Sequence, residues 1–343
     1  MAKKIGILTG GGDCPGLNPA IRGCVYAAEK MGYECVGFKD GWKGIIENNT
    51  IPLNRTIVRD IISVGGTMLG TSRTNPYKRE GGVDAVRKTF TAQGLTALVA
   101  MGGEDTLGVA NRLHNDFKFP VVGVPKTMDN DLSGTEYTFG FNTSVGVSVD
   151  AVERLRDTAR SHHRIIVLEV MGRHAGWVAV FTALAGAADY VCSPEKTVDV
   201  ARMMEHLKKA YADKGYAIVV TSEAADLPST GAGEVQAKDD FGHVVLKDRA
   251  VGETLSALIE KETDIECRHA VIGHIQRGGS PSVYDRILGT RVGVAAAQFV
   301  DRKNFGVMAA LVSDKVIGVP LETAVGSLKV VTPEWFELAD ILL

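Results

Sequence analysis

Short runs of apolar residues alternate along the chain with longer segments in which apolar positions recur every three or four residues. The short runs are rich in Ile and Val, which is typical of strands buried on both faces. They predict strands at residues 4–9, 34–38, 97–101, 121–124, 165–170, 217–221, 269–275 and 306–312. The longer segments predict crossover helices at 19–32, 83–94, 142–160, 198–213 and 284–302. This alternation predicts a parallel α/β fold.

A glycine-rich or polar cluster follows almost every predicted strand. The clusters begin at Gly10, Gly102, Pro125, Met171, Ser222 and Gln276. Ligands bind at the carboxyl ends of the strands in open α/β sheets, so we expect the clusters to form one cleft. A chain of 343 residues is long enough for two domains, and two sheets facing each other would fit this length. The polar, glycine-rich segment 224–250 predicts a surface loop or hairpin.

Composition excludes several classes of protein. The chain has 38 Lys and Arg against 41 Asp and Glu, so no bulk attraction to nucleic acid or anionic lipid is expected. Its apolar runs are far shorter than the ~18 residues of a membrane span, and the N-terminus reads as a strand rather than a signal peptide. The 5 cysteines are scattered, which favours reduced thiols. We therefore expect a cytoplasmic protein that binds neither nucleic acid nor membrane.

Two glycine turns are candidate phosphate sites. Gly11 and Gly12 follow the first predicted strand, where backbone N–H groups can approach an anion. The turn matches neither established nucleotide-binding fingerprint, and a plain turn between a strand and a helix would look the same. In the second turn, Glu104 and Asp105 could hold Mg²⁺ or only favour the first turn of a helix. Thr106 could cap that helix.

The segment from Pro125 to Asp131 combines a lysine with two carboxylates. Asp129 or Asp131 could accept a proton from a hydroxyl group, and Lys126 could balance phosphate charge. A turn that exposes its charges is the competing interpretation. Candidate anion-binding residues also lie near predicted strand ends, although surface salt bridges or a core histidine would explain each one singly. They are Arg73, Arg164, Arg173, Arg268, His274 and Arg277.

Taken together, these residues resemble the 6-phosphofructokinases. The matching motifs occur in order across about residues 3–320, beginning at Gly11, Gly65, Thr127, Met171 and Gly273. The resemblance implies phosphoryl transfer to the 1-hydroxyl of fructose 6-phosphate, with Mg²⁺. It also implies two similar Rossmann-like three-layer α/β domains with mostly parallel sheets and the active site between them. We expect residues 1–140 plus about 276–325 to bind the donor, and 141–275 plus about 326–343 to bind the sugar.

The resemblance implies a role for each matching residue. Asp129 is similar to the general base, with Thr127 and Asp131 as its partners, while Arg73 and Arg173 match residues that stabilise the transferring phosphate. Positions expected to bind the donor are Gly11, Gly12, Gly103, Asp105, Thr106 and Lys126, with Glu104 as the metal ligand. Positions expected to bind the sugar or its 6-phosphate are Arg164, Met171, Gly172, Glu223, Arg268, His274 and Arg277.

The resemblance also implies a homo-oligomer, either a dimer or a tetramer, whose active site is shared between subunits. In the family, two arginines that grip the 6-phosphate come from the neighbouring subunit. In this chain, Arg164 and Arg268 are the expected pair.

Asp105 and Lys126 indicate the phosphoryl donor. ATP-using members of the family carry glycine at the position of Asp105, where a carboxylate would repel the α-phosphate of a nucleotide. Together with Lys126, this resembles the diphosphate-dependent branch of actinobacterial type and implies a reversible glycolytic or gluconeogenic enzyme. Three alternatives stay open: an ATP-dependent enzyme, an enzyme that also accepts sedoheptulose 7-phosphate, and a sugar-phosphate sensor without catalysis. The intact Thr127, Asp129, Asp131 and Arg173 argue against the sensor.

Overall fold

The computed structural model describes residues 3–228 and 250–343. Its strands are β1 (Lys3–Thr9), β2 (Tyr33–Phe38), β3 (Thr50–Leu53), β4 (Ala97–Gly102), β5 (Val121–Pro125), β6 (Ile165–Val170), β7 (Tyr190–Cys192), β8 (Ala217–Ser222), β9 (Cys267–Val271), β10 (Val307–Val312) and β11 (Lys315–Pro320). Most of the predicted loop or hairpin at 224–250 lies outside the described residues, which resume at Ala250.

Helices fill most of the connections between strands. They are α1 (Leu17–Lys30), α2 (Trp42–Ile46), α3 (Arg55–Val58), α4 (Gly82–Ala92), α5 (Glu104–Phe117), α6 (Phe141–His162), α7 (Trp177–Ala185), α8 (Val200–Lys214), α9 (Val251–Thr263), α10 (Val283–Asp301), α11 (Leu321–Gly326) and α12 (Pro333–Leu342). Short 3₁₀ helices span Ile61–Ser63, Pro76–Lys78 and Gly273–Arg277.

The strands form two sheets. The first has the order β11-β10-β5-β4-β1-β2-β3 and the second has the order β7-β8-β6-β9. Neighbouring strands of the second sheet are parallel throughout. In the first sheet, only the edge strands β3 and β11 pair antiparallel with their neighbours. The expected mostly parallel sheets are confirmed.

Helices cover both faces of each sheet, which explains why the predicted strands are continuously apolar. In β1, Ile5 and Ile7 pack in the core under α1 and α10, whereas Leu8 points into the core beneath α4, α5 and α11. The second sheet is covered by α6, α7 and α12 on one face and by α8 and α9 on the other. Each sheet is therefore the centre of three layers. The limits of the two domains stay a prediction.

Close packing of α1 against α10 places the first glycine turn beside the chain that precedes α10. A Cβ atom at Gly293 would lie 2.1 Å from the carbonyl oxygen of Ala20, so only glycine allows this approach. A second contact joins α10 to α6, because buried Asp285 accepts hydrogen bonds from the backbone N–H of Thr143 at 2.8 Å and from its hydroxyl. Helix α10 therefore connects the two sheets.

Two local predictions are wrong. The predicted strand at 269–275 ends at Val271 as β9, and the chain then turns into the 3₁₀ helix that starts at Gly273, where φ is 52°. Thr106 does not cap α5, because the helix already begins at Glu104 and Thr106 packs against Gly10 instead. Over the residues that the structure describes, we find no helix both long and apolar enough to cross a membrane.

Candidate active site

A cavity of about 150 Å³ lies between the two sheets, at the carboxyl ends of β1, β4, β5, β6 and β8. It is lined by Gly11, Gly12, Arg73, Gly103, Glu104, Asp105, Thr106, Lys126, Thr127, Met128, Asp129, Asp131, Met171, Arg173, His174, Glu223 and Arg277. The structure thus brings together residues predicted for the donor, for catalysis and for the sugar. Parallel strands explain this convergence, because their carboxyl ends share one edge of each sheet.

The first glycine turn is held from two directions. The hydroxyl of Thr71 donates to the carbonyl oxygen of Gly11 at 2.5 Å. From the far side of the cleft, Arg277 donates to the carbonyl oxygen of Asp13 at 3.0 Å. A Cβ atom at Gly12 would lie 2.5 Å from the Arg277 guanidinium, so the two residues are in close contact. The turn and Arg277 therefore form one wall of the cavity.

The second glycine turn leads into α5, whose N-terminus faces the cavity. Glu104 and Asp105 occupy the first turn of α5, where the helix dipole stabilises negative charge. The Glu104 side chain is exposed, whereas Asp105 is half-buried. Asp105 also lines a second cavity of about 290 Å³, together with Tyr77, Gly108 and other residues. Asp105 thus stands between two cavities.

The acidic loop (Lys126–Asp131) follows β5 and contributes the largest group of charged residues. The Lys126 ammonium is buried and donates to the carbonyl oxygen of Gly12 at 2.5 Å, and burial lowers the pKa of Lys126. The hydroxyl of Thr127 accepts a hydrogen bond from the Asp129 backbone at 3.1 Å. Asn130, at φ 53°, accepts from the Thr138 backbone at 3.1 Å. These bonds give the loop one conformation.

The pKa values of Asp129 and Asp131 are both raised, mainly by burial. Burial and the neighbouring charge of Asp131 together raise the pKa of Asp129 to about 6, against the opposing charges of Arg277 and His174. The backbone N–H of Arg173 donates to the Asp129 carboxylate. Within the described part of the chain, the Oδ1 atom of Asp129 is buried and accepts no hydrogen bond. Asp129 therefore offers an oxygen that can receive a proton.

The second sheet supplies the opposite wall. The backbone N–H of Gly172 lies 3.4 Å from Glu223 Oε1, and burial raises the pKa of Glu223. The backbone N–H of Met171 donates to the side chain of Gln276 at 2.7 Å. The amide nitrogen of Gln276 donates in turn to the Ser144 and Ser148 hydroxyls of α6 at 3.0 and 2.8 Å. Buried Gln276 thus fixes the start of the Met171–Arg173 segment.

Four predicted site residues do not line this cavity: Arg164, Gly172, Arg268 and His274. Arg164 and Arg268 both contact Glu266, at 3.5 and 2.7 Å, and they lie towards the amino ends of β6 and β9, far from the carboxyl ends that form the cleft. His274 is exposed on the 3₁₀ helix that carries Arg277. Within one chain, the predicted phosphate-binding arginines are therefore divided between two surfaces.

Sequence reasoning missed two lining residues, Met128 and His174, and one supporting residue, Gln276. Two of these gave a signal in the sequence. His174 directly follows Arg173 in the polar cluster after β6, and its position lowers the pKa of Asp129. Gln276 directly precedes Arg277. A search of the positions beside each predicted site residue would have found both.

The charged residues of the cavity fit a divalent cation that is shared with a bound ligand. Across residues 3–228 and 250–343, no cluster of three or more His, Cys, Asp or Glu side chains forms a complete metal site. Mg²⁺ commonly takes one or two carboxylates and completes its shell with waters and phosphate oxygens. Glu104 fits this pattern because its exposed carboxylate lies close enough to Asp131 to raise the pKa of that residue.

Comparisons with known proteins agree with this geometry. A family described as "Phosphofructokinase" matches residues 4–300. The pyrophosphate–fructose 6-phosphate 1-phosphotransferase of Amycolatopsis methanolica is 48% identical, covering 98% of this chain and 99% of that protein. The enzyme of the same name from Streptomyces coelicolor is 47% identical, covering 97% and 98%. The ATP-dependent 6-phosphofructokinase 3 of Streptomyces coelicolor is 42% identical, covering 99% and 100%.

A solved structure gives the same result for the fold. The chain is similar to Pichia pastoris phosphofructokinase in the T-state, with a TM-score of 0.83 and 26% identity. The match covers 100% of this chain and 36% of that one, so this chain spans about a third of that larger protein.

Proposed function

This chain belongs to the phosphofructokinase family, and we propose that it transfers a phosphoryl group from diphosphate to the 1-hydroxyl of fructose 6-phosphate. The products are fructose 1,6-bisphosphate and phosphate, and the reaction runs in both directions in glycolysis and gluconeogenesis. One observation carries the proposal. Asp105 and Lys126, the two residues that indicate the donor, line the same cavity as Asp129 and Arg173.

The chain's own residues account for the chemistry. An oxygen of Asp129 accepts the proton of the sugar's 1-hydroxyl while the hydroxyl oxygen attacks the terminal phosphorus of diphosphate. The bond from that phosphorus to the bridging oxygen breaks, and phosphate leaves. Thr127 holds the backbone of Asp129 through a hydrogen bond of 3.1 Å. Arg73 and Arg173 line the cavity and stabilise negative charge on the transferring group. Catalysis then comes from positioning and electrostatics, with no covalent enzyme intermediate.

Asp105 accounts for the choice of donor. A nucleotide would have to place its α-phosphate beside this carboxylate, and the repulsion is strong where water is excluded. Diphosphate ends where the α-phosphate of a nucleotide would begin, so it avoids the clash. The buried ammonium of Lys126 adds a positive charge beside the glycine turn. Both features favour a small, highly charged donor.

Mg²⁺ is the cofactor in this proposal, with Glu104 as the protein ligand that would hold it. When bound, the cation would neutralise part of the charge of diphosphate.

The same proposal includes a homo-oligomer with shared active sites. Arg164 and Arg268 lie away from the cavity of their own chain and are paired there with Glu266. In this proposal they bind the sugar phosphate of a neighbouring chain in exchange for that pairing. Apolar side chains are exposed on the elements that carry Arg268 and His274: Val271 is 56% and Ile275 is 68% exposed. Such exposure on adjacent elements favours a contact with a second copy.

A cytoplasmic location is also part of the proposal. It is supported by the 5 cysteines, which are free and buried thiols in the structure. Persistent disulfides belong to oxidising compartments, whereas buried thiols suit a reducing one.

The experiment that tests the function measures initial rates with fructose 6-phosphate and Mg²⁺, supplying diphosphate or ATP separately at matched concentrations. We expect rapid turnover with diphosphate and almost none with ATP. Activity with ATP alone would keep the family but overturn the donor argument. No activity with either donor would favour a sugar-phosphate sensor without catalysis. Parallel assays with sedoheptulose 7-phosphate in place of fructose 6-phosphate would measure how broad the acceptor range is.

Replacing the base tests the proposed catalytic role. We expect Asp129→Ser to lower kcat by at least about 100-fold, because general-base catalysis typically contributes that much, while the affinity for fructose 6-phosphate changes little. Rates and equilibrium binding of the sugar phosphate are measured on the same preparation. A variant that keeps most of its turnover would show that Asp129 is not the base.

A further inference from the structure

The segment Ser327–Val331, which we call the strap, connects α11 to α12 and runs alongside the acidic loop. Its backbone N–H at Lys329 donates to the carbonyl oxygen of Asp131 at 3.0 Å. Leu328 forms an isolated antiparallel bridge with Leu132. The hydroxyl of Ser133 donates to the carbonyl oxygen of Ser327 at 2.8 Å. The strap therefore holds the end of the loop that carries Asp129.

The same strap is bonded to the turn that follows Arg173. The indole N–H of Trp177, the first residue of α7, donates to the carbonyl oxygen of Lys329 at 3.0 Å. The Oε1 atom of Glu195 accepts from the backbone N–H groups of Gly176 at 2.8 Å and Val331 at 3.1 Å. Lys329 thus donates to the acidic loop through its N–H and accepts from the Arg173 side through its carbonyl.

The side chain of Lys329 reinforces this double connection. Its ammonium donates to the carbonyl oxygen of Glu136. It also lies 5.1 Å from the ring centroid of Trp177 and 5.8 Å from that of Tyr137, within range of cation–π attraction. One side chain therefore contacts both the chain that follows the acidic loop and the start of α7.

None of the strap residues lines the cavity, so they do not touch a substrate bound there. Asp129 and Arg173 follow strands of different sheets, β5 and β6. The strap is bonded to both segments, and it lies outside the reacting centre. The strap is therefore placed to relate these two segments to each other.

We propose that Trp177 and Lys329 are positioning residues, which hold Asp129 and Arg173 at the separation that phosphoryl transfer requires. The inference rests on the proposed function, because only a reaction that uses both groups at once depends on their separation. Diphosphate and sugar phosphate each retain their own contacts when the strap is loosened. The loss then falls on the chemical step, where a misplacement of about 1 Å can cost about 100-fold in rate.

Trp177→Phe is the main test, since it removes the indole N–H and keeps a ring. We expect kcat to fall about tenfold, with KM for both substrates within about twofold of the wild type. Trp335→Phe is the matched control. Trp335 packs on the same aromatic cluster, 6.5 Å from Trp177 and 4.5 Å from Phe181, and neither of these ring contacts involves the strap. We expect this control to keep kcat.

Lys329→Met is the second variant, which leaves both backbone bonds and removes the ammonium. We expect a smaller loss of kcat, about threefold, with partial rescue in Lys329→Arg, which restores a cation over the Trp177 ring. Unchanged kcat in Trp177→Phe would overturn the proposal. An equal loss in Trp335→Phe would also overturn it, since the effect would then be one of general packing.

Hydrogen exchange decides the inference independently of turnover. Peptides that cover residues 126–136 should exchange several-fold faster in Trp177→Phe than in the wild type or in Trp335→Phe. If the wild type used neither donor, the proposed function would fail and this comparison would still report on the strap. Equal hydrogen-exchange rates of these peptides in the three proteins would refute the proposed role of the strap.

Discussion

Burial makes Asp129 a weaker acid than an aspartate on the protein surface. A carboxylate removed from water is less stable than its protonated form, so the pKa of Asp129 rises from 3.8 to about 6. Between these values the folded chain binds the proton more tightly than the unfolded chain does. This residue therefore contributes stability at low pH that is lost as the pH rises through about 6. The same shift places the titration of Asp129, the proposed base, close to neutral pH.

The pH dependence of the forward reaction follows from this shift. Because only the carboxylate form accepts a proton, kcat/KM for fructose 6-phosphate should fall about tenfold between pH 7 and pH 5. Initial rates with diphosphate across this range provide the measurement. Circular dichroism at each pH serves as the control for folding. A flat profile from pH 5 to 7 would contradict the role of buried Asp129.

The proposed role of Asp105 in the choice of donor can be tested by a single substitution. We expect Asp105→Gly to raise the ratio of kcat/KM for ATP to that for diphosphate by at least about tenfold, because a repulsive carboxylate is removed. Asp84→Gly is the matched control, since Asp84 also lies in the first turn of a helix, α4, but outside the cavity. An unchanged donor ratio in Asp105→Gly would show that other residues exclude ATP.

At the scale of elements, the close packing of α1 and α10 places Arg277 opposite the first glycine turn. This packing leaves no room for a side chain at Gly293, where a Cβ would lie 2.1 Å from a backbone oxygen. Helix α10 also anchors α6 through Asp285 and Thr143. Two helix contacts thus align the walls of the cavity.

Gly293→Ala should destabilise the fold by about 1–3 kcal/mol, because the two helix backbones must move apart. Gly146→Ala is the control. It lies within α6, and a Cβ there would meet no atom of the described residues within 4 Å, so we expect neutral or slightly increased stability. Denaturant unfolding of the three proteins compares their free energies. Equal stability of Gly293→Ala and wild type would show that α1 and α10 adjust without cost.

At the scale of the whole molecule, the cavity of one chain has residues from both sheets but lacks Arg164, Arg268 and His274. The proposed oligomer resolves this division, since each site would borrow arginines from a neighbour. A shared site makes a prediction that a self-contained site does not. Two inactive variants can restore activity when the damaged residues belong to different chains of one site.

Mixing Asp129→Ser with Arg268→Ala, after dissociation and reassembly, should restore up to about a quarter of wild-type activity. Half of randomly paired dimers are hybrids, and each hybrid has one intact site. Asp129→Ser mixed with Arg173→Ala is the control, because both residues line the cavity of the same chain and no intact site forms. A mixture with Arg268→Ala that stays inactive would contradict the shared site.

The sequence by itself determined the parallel strands and the polar turns that follow them. Burial on both faces produces continuous apolar runs, as in β4, β5, β6 and β8. Edge strands such as β3 and β11 lack this signal because they are short or half-exposed. Since the parallel strands of one sheet end at one edge, the placement of Lys126 and Asp129 beside the glycine turns followed from local pattern and topology.

Only the tertiary structure decided what supports these residues and which predicted ones lie elsewhere. His174, Gln276 and the strap act through contacts between residues far apart in the chain, such as Trp177 with Lys329 and Gln276 with Ser148. Local periodicity reports which face of an element is buried but not which distant backbone group lies against it. Those contacts depend on how the helices pack. The sequence therefore predicts the groups that perform the chemistry, and packing decides their separation.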